Sequence, residues 1–299
     1  KTAEGRELVH KLVESSDVFI ENYRQGVPER LEMDYDSLKK INPKLIYASG
    51  TGYGPLGPDS AKPSLDGCGQ ARSGLMMSAT QQSQTEPSYV AGAVSDQMGG
   101  IILCLGVISA LYAREQSGVG QRVDVSHLSS TMWLQGLAVS MQLLSGYHYR
   151  STDRKNPLNP LVNAYECADG RWIQFMSAQF QRYWPDFATA LGISDLIDDP
   201  IVGDIKGMAA GSPELTKIIA DRFKTKTVDE WIDIFNQYKD LIFAKVQSVE
   251  ELENDPQVIA NNYITNFDHP VIGEVKMCSF PVNFSETPAG IWKEAPELG

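Results

Sequence analysis

Two short apolar runs with a helical stretch between them constrain this chain most. "DVFIENY" (residues 17–23) reads as a short buried strand. "KLIYASGTGYG" (44–54) reads as a second strand running into glycines. Between them, "PERLEMDYDSLKKINP" carries a helical pattern, with Asp36 a plausible N-cap and Pro43 a stop. Strand, helix and strand at this spacing predict a βαβ unit and a parallel sheet. Upstream, "EGRELVHKLVESS" places Leu8, Val9, Leu12 and Val13 in an amphipathic stripe.

The loop "GPLGPDSAKPSLDG" interrupts this pattern with prolines and glycines. A helix is then expected from Asp96 to about Gln116, apolar nearly all round and therefore buried. "SGVGQ" turns the chain, "RVDVS" forms a third strand, and "HLSSTMWLQGLAVSMQLLSG" reads as one further apolar helix.

Composition changes at 147–160, "YHYRSTDRKNPLNP", which reads as a linker. The first domain therefore spans 1–146. A smaller α+β domain follows at 161–262, with a hairpin turning at Asp169-Gly170 and three helices. Tyr183, Trp184 and Trp231 lie in those helices and read as core. The tail, 263–299, carries two short strands and is expected to return to the first domain.

Lys and Arg total 26 against 38 Asp and Glu, a net charge of -12. Such a surface repels nucleic acid and anionic membrane, so neither is an expected partner. An anionic ligand would need a local cluster of Lys, Arg and backbone N–H groups. Cys68, Cys104, Cys167 and Cys278 form no C-x-x-C pair and sit in apolar or strand-like surroundings. That fits a reducing compartment. The four histidines, at 10, 127, 148 and 269, suggest no metal site. The apolar run Ile101 to Leu111 is broken by Gly106 and Ser109 and is too short to span a bilayer. The chain reads as soluble and cytoplasmic.

Asp96 is the candidate for chemistry. It stands at the head of a long apolar helix, where an aspartate is most often an N-cap. Small residues surround it, "AGAVS" before and Gly99-Gly100 after, so a ligand can approach the backbone. Burial against an apolar helix would also desolvate the carboxylate and sharpen it as a nucleophile. Cap and nucleophile are compatible readings. "SGTGYGPLGP" matches neither a dinucleotide fingerprint nor a P-loop. It is either a plain strand-to-loop turn or a backbone cradle at a strand's carboxyl end. "ENYRQG" ends the other strand with an Asn, an aromatic and an Arg suited to a nucleotide-like ligand, or to plain surface. There is no G-x-S-x-G elbow, and Ser126 beside His127 makes no triad because adjacent side chains diverge.

Four stretches resemble the family III CoA-transferases, the formyl-CoA transferase and carnitine CoA-transferase group. They are "DVFIENYRQGVPERLEMDYDSLKKINPKLIYASGTGYGPLGP", "VSDQMGGIILCLGVISALYAREQSGVGQRVDVS", "NPLVNAYECADGRWIQF" and "VEELENDPQVIANNYITNFDHPVIGEV". The resemblance keeps its order over almost the whole chain.

The resemblance implies a Rossmann-like parallel α/β domain with a smaller α+β domain, in chains that interlock as ring-threaded homodimers. It implies that CoA moves from an acyl-CoA to a free small carboxylic acid, with CoA as cosubstrate and no metal. Asp96 falls on the family's nucleophile, which forms a mixed anhydride and then an aspartyl-CoA thioester. Residues matching the CoA-binding positions are Lys1, Asn22, Tyr23, Arg30, Thr51, Gly52, Tyr53 and Gly54. Gln97, Gly99 and Gly100 flank the nucleophile, and N–H groups near the two glycines are expected to hold tetrahedral oxyanions.

The related α-methylacyl-CoA racemases carry a base histidine in a "GHD"-like stretch. This chain has Ser64-Leu65-Asp66 there, and leucine accepts no proton. Asp240 to Ala244 stands where the family has a "GVP"-like turn. Members usually begin upstream of Lys1 and continue beyond "EAPELG". The chain is therefore expected to be a piece of a longer protein, with some CoA contacts outside it. The alternatives to CoA transfer are racemase-type isomerisation and an inactive fragment.

Overall fold

The central strand of the first sheet sets the architecture. In the computed structural model, residues 2–202 and 205–296 are described. They fall into two units, Lys1–Asp153 and Arg154–Gly299. The first unit runs α1 (Ala3–Glu14), β1 (Val18–Glu21), α2 (Val27–Arg30), α3 (Tyr35–Ile41), β2 (Ile46–Thr51), α4 (Asp66–Ser73), α5 (Leu75–Ala79), α6 (Val94–Ser117), β3 (Arg122–Ser126), α7 (His127–Leu134) and α8 (Gly136–Ser145). The sheet has the order β1-β2-β3, with both pairs parallel. The βαβ expectation therefore holds. Ile46, Tyr47, Ala48 and Ser49 of β2 are all buried, as a central strand covered on both faces must be. Val13, Leu38, Leu45 and Tyr47 form the core on one face. α6 packs against β2 and β3.

Three local expectations are corrected. The helical stretch after β1 is two helices, separated where Glu32 takes a left-handed conformation, φ 54°. Asp34, not Asp36, caps the second, accepting the Ser37 N–H at 3.1 Å. The apolar stretch after β3 is likewise two helices, α7 and α8, which meet at Gln135.

α6 is not buried all round. It contacts β2, β3, α4 and α7 on one side. Ile101, Leu105, Ile108 and Tyr112 form an i, i+4, i+7, i+11 stripe on the exposed side. By length and composition this 24-residue helix is able to cross a membrane, contrary to the sequence reading. Its contacts with the sheet hold it in the α/β unit. The cysteines are also less sheltered than expected. Cys68, Cys104 and Cys278 are exposed; only Cys167, among these four, is buried, and burial pushes its thiol up to about 12.

The second unit contains β4 (Ala164–Glu166), β5 (Trp172–Phe175), α9 (Phe180–Leu191), α10 (Ile205–Phe223), α11 (Val228–Phe235), β6 (Phe243–Lys245), α12 (Pro256–Ala260), β7 (Ile264–His269) and β8 (Gly273–Cys278). β4, β5 and β6 form an antiparallel sheet whose first hairpin turns at Asp169-Gly170, with Gly170 at φ 75°. Trp184 and Trp231 are core residues as expected, and Tyr183 packs against them from the edge. The tail falls within this second unit. β7 and β8 pair with each other, and Lys276 bonds Glu253 at 2.9 Å.

Candidate functional site

The carboxyl ends of all three parallel strands open into one cavity of about 880 Å³. Asn22, Tyr23, Arg24 and Gln25 follow β1. Gly50, Thr51 and Gly52 end β2. Val125, Ser126 and His127 end β3 and begin α7. Open α/β sheets bind ligands at this edge, where strand ends and helix starts converge.

Asp96 lines the cavity, and its side chain is 51% exposed. The desolvation expected of it is therefore incomplete. Nor is it the helix cap. Ala93 holds the N-cap position of α6 in a left-handed conformation, with no side-chain bond. The capping carboxylate comes from Asp66 at the start of α4. Its Oδ1 accepts the N–H of Ser95 at 2.6 Å and of Asp96 at 3.4 Å. Its Oδ2 accepts from the Tyr89 hydroxyl and from the Gln70 amide, both at 2.7 Å. Burial alone would raise the Asp66 pKa. The bonds from Tyr89, Ser95, Gln70 and Asp96 outweigh it, and the carboxyl lies below the ordinary aspartate value. The same bond raises the Tyr89 hydroxyl. With the orphan N–H groups of the first turn satisfied from outside, the Asp96 carboxylate is left to face the cavity.

Asp96 has a partner that the sequence reading missed. His127 Nε2 lies 3.1 Å from Asp96 Oδ1, and His127 Nδ1 lies 3.2 Å from Ser64 Oγ. His127 is the first residue of α7. Ser126 and Ser129 cap that helix reciprocally, and Leu128 N–H donates to the Gly52 carbonyl at 3.1 Å. Thr131 Oγ1 donates to Ser95 Oγ at 2.8 Å, tying α7 to the head of α6. Two glycines admit this packing. A Cβ on Gly69 would lie 2.7 Å from His127 Cβ, and one on Gly52 would lie 2.3 Å from Ser64 Cβ. The serine that meets the His127 ring is not its neighbour Ser126 but Ser64, which arrives from the loop after β2.

Of the predicted ligand contacts, Asn22, Tyr23, Thr51 and Gly52 line the main cavity. Tyr53 and Gly54 line a separate, smaller one of about 330 Å³. Arg30 lies on the exposed end of α2, outside both linings. Arg24, part of the "ENYRQG" motif, is on the wall instead, with Lys62. Lys62 is paired to Asp59 at 2.6 Å. Lys1 lies outside the described residues. Gly99 and Gly100 line the cavity, but they sit inside α6, where each N–H is committed to the carbonyl four residues back. They supply space, not oxyanion donors. Gln97 is exposed, its N–H donates to the Ala93 carbonyl at 2.9 Å, and it does not line the cavity. Among the described residues no His, Cys, Asp and Glu cluster is suited to a metal ion.

The fold and site thus define an α/β protein with a cavity-facing carboxylate at the strand ends of a parallel sheet. The chain belongs to CoA-transferase family III, whose description matches residues 1–299. It is 29% identical over 299 residues to the (R)-2-hydroxy-4-methylpentanoate CoA-transferase of Clostridioides difficile, covering 100% of this chain and 74% of that one. It is 30% identical over 303 residues to the cinnamoyl-CoA:phenyllactate CoA-transferase of Clostridium sporogenes, covering 100% and 73%. Among solved structures it resembles a CAIB/BAIF family protein from Brucella suis, with TM-score 0.85, 26% identity, and 99% and 76% coverage.

Proposed function

We propose that this protein moves CoA from an acyl-CoA thioester to a free carboxylic acid, with Asp96 as the covalent acceptor. The observation that carries the reading is Asp96 itself. It is a carboxylate on the wall of a cavity at the strand ends, relieved of capping by Asp66. An Asp96 oxygen attacks the thioester carbonyl, CoA leaves as thiolate, and a mixed anhydride forms. The thiolate attacks the aspartyl carbon and expels the donor acid. The acceptor carboxylate displaces CoA, and the thiolate then takes the new acyl group, restoring Asp96. Each intermediate hydrolyses readily, so the cavity must be closed to water during turnover.

Asn22, Tyr23 and Arg24 suit the polar and anionic parts of CoA by hydrogen bond, stacking and charge. One relative described above is named for (R)-2-hydroxy-4-methylpentanoate and the other for cinnamoyl-CoA and phenyllactate, so 2-hydroxy acids head the acceptor screen. The α6 stripe of Ile101, Leu105, Ile108 and Tyr112 supports a homodimer in which a second copy covers it.

The test combines hydroxylamine trapping with mutation. With acyl-CoA present, hydroxylamine should leave an adduct on Asp96. Asp96→Ala should abolish transfer with an unchanged circular dichroism spectrum. Full transferase activity in that variant would sink the reading. Solvent deuterium entering the α-carbon of the acyl group would instead favour isomerisation.

A further inference from the structure

We infer that His127 is the oxyanion donor for the steps that occur at the aspartyl carbon. The inference rests on the reading of Asp96 as the covalent acceptor. A carboxylate only accepts hydrogen bonds, so the ring nitrogen 3.1 Å from Asp96 Oδ1 serves that oxygen in the tautomer that carries its hydrogen there. Nδ1 faces Ser64 Oγ at 3.2 Å, and that hydroxyl is able to donate to it or accept from it. Ser64 holds the ring at Nδ1, and Nε2 lies within reach of Oδ1, where a small rotation of either side chain aligns a hydrogen bond. Oδ2 is the oxygen left to attack.

Every nucleophile in the exchange is already an anion, a carboxylate or a thiolate, and so is every leaving group. No step needs a proton moved. What changes is the charge on Oδ1. When Oδ2 attacks the thioester carbonyl, the carbon–sulfur bond breaks and the thiolate leaves with the electron pair. Oδ1 is then the carbonyl oxygen of the aspartyl anhydride. When the thiolate adds to Cγ, the carbonyl electron pair moves onto Oδ1. Collapse re-forms that carbonyl, breaks the Cγ–Oδ2 bond and releases the donor acid with Oδ2. When the acceptor carboxylate adds to Cγ of the thioester, Oδ1 takes the charge again and CoA leaves as thiolate. A fixed donor at Oδ1 therefore stabilises both tetrahedral adducts relative to the covalent intermediates that precede them. It gives little advantage to the first acylation, because Oδ1 already shares a negative charge in the resting carboxylate. α6 and α7 supply this donor as a side chain, in place of the Gly99 and Gly100 N–H groups that the helix consumes.

The experiment reads turnover and covalent adduct together. His127→Leu should lower kcat by about 10²–10³-fold with the KM for the acyl-CoA donor little changed. Mass spectrometry of the quenched protein should show more Asp96 adduct at steady state than in the wild type, because breakdown slows more than formation. His127→Gln, which keeps an N–H of similar reach, should recover most of the turnover, and His127→Met should not. Wild-type kcat in His127→Leu or His127→Met overturns the inference. So does a slowed variant with no rise in adduct. A measurement on the wild type needs no variant to fold. The infrared carbonyl band of the aspartyl-CoA thioester, made with ¹³C-aspartate, should sit below that of an unbonded thioester, and an unshifted band overturns the assignment. If the wild-type adduct forms on a residue other than Asp96, it is the underlying reading that fails.

Discussion

The two units are stabilised by different means. The second is built from rings. Phe175, Phe187, Phe223 and Phe235 contact one another at centroid distances of 5.0 to 6.3 Å, and Trp231 stacks on Phe235 at 5.6 Å. The Trp231 indole N–H donates to the Phe223 carbonyl at 2.9 Å, so even the polar end is satisfied within the core. The first unit has a small apolar core and leaves much of α6 and α8 exposed. Its site is held by a polar network from Asp66, Tyr89, Gln70, Ser95 and Thr131. A buried network of this kind depends on every partner being placed with good geometry. The unit that holds the candidate site is thus the one that depends on hydrogen-bond geometry.

Mutations break the two kinds of organisation differently. Trp231→Ala should have the largest effect on stability, about 3–5 kcal/mol, from the cavity left among the rings. Hydrogen exchange resolved along the chain should place the loss in the second unit. Gly52→Ala should cost about 1–3 kcal/mol through overpacking on Ser64. Thermal melting reads that cost, and the rate of transfer should fall with it because Ser64 holds His127.

Asp66→Asn should cost about 1–2 kcal/mol at neutral pH, read by urea denaturation. The folded-state pKa of Asp66 is depressed, so its ionisation stabilises the fold above the unfolded aspartate value. That stability is lost as pH falls through the lower folded value. The gap between wild type and Asp66→Asn should therefore be full at neutral pH and close in acid. A gap that widens in acid would contradict the network. Arg24→Ala should weaken CoA binding by about 10-fold, about 1.4 kcal/mol. Arg30→Ala should change it by less than about 2-fold, since Arg30 lies off the cavity. Isothermal titration separates the two.

Elements with a strong local pattern were legible from the sequence. The βαβ unit, the hairpin at Asp169-Gly170 and the helices bearing Trp184 and Trp231 follow from periodicity and turn chemistry. What escaped depends on contacts between distant residues. Asp66 looked like a loop residue, yet it caps a helix that begins well downstream. Sequence adjacency pairs His127 only with the serine beside it, because neither Ser64 nor Asp96 is near it in sequence. One signal was available. His127 opens a helix directly after the third parallel strand, the place where α/β sheets gather ligand-facing residues. Arg24 was in the motif read from the residues, whereas the family pattern pointed to Arg30. The all-round burial expected of α6 failed because a helix's own composition does not say whether its outer face is covered by the same chain.

The bond from Asp66 to the Ser95 N–H spans 29 residues. The first turn of α6 is therefore not a local structure in kinetic terms. Closing so long a loop costs entropy before the cap returns any stability, and contacts of wide sequence separation form slowly. The rest of α6 can propagate on its own backbone bonds, while the turn that carries Asp96 waits for α4 to dock. The Asp96 end of the helix is thus fixed after the helix interior. In a folding experiment, protection of the Ser95 and Asp96 amides should trail that of the helix interior.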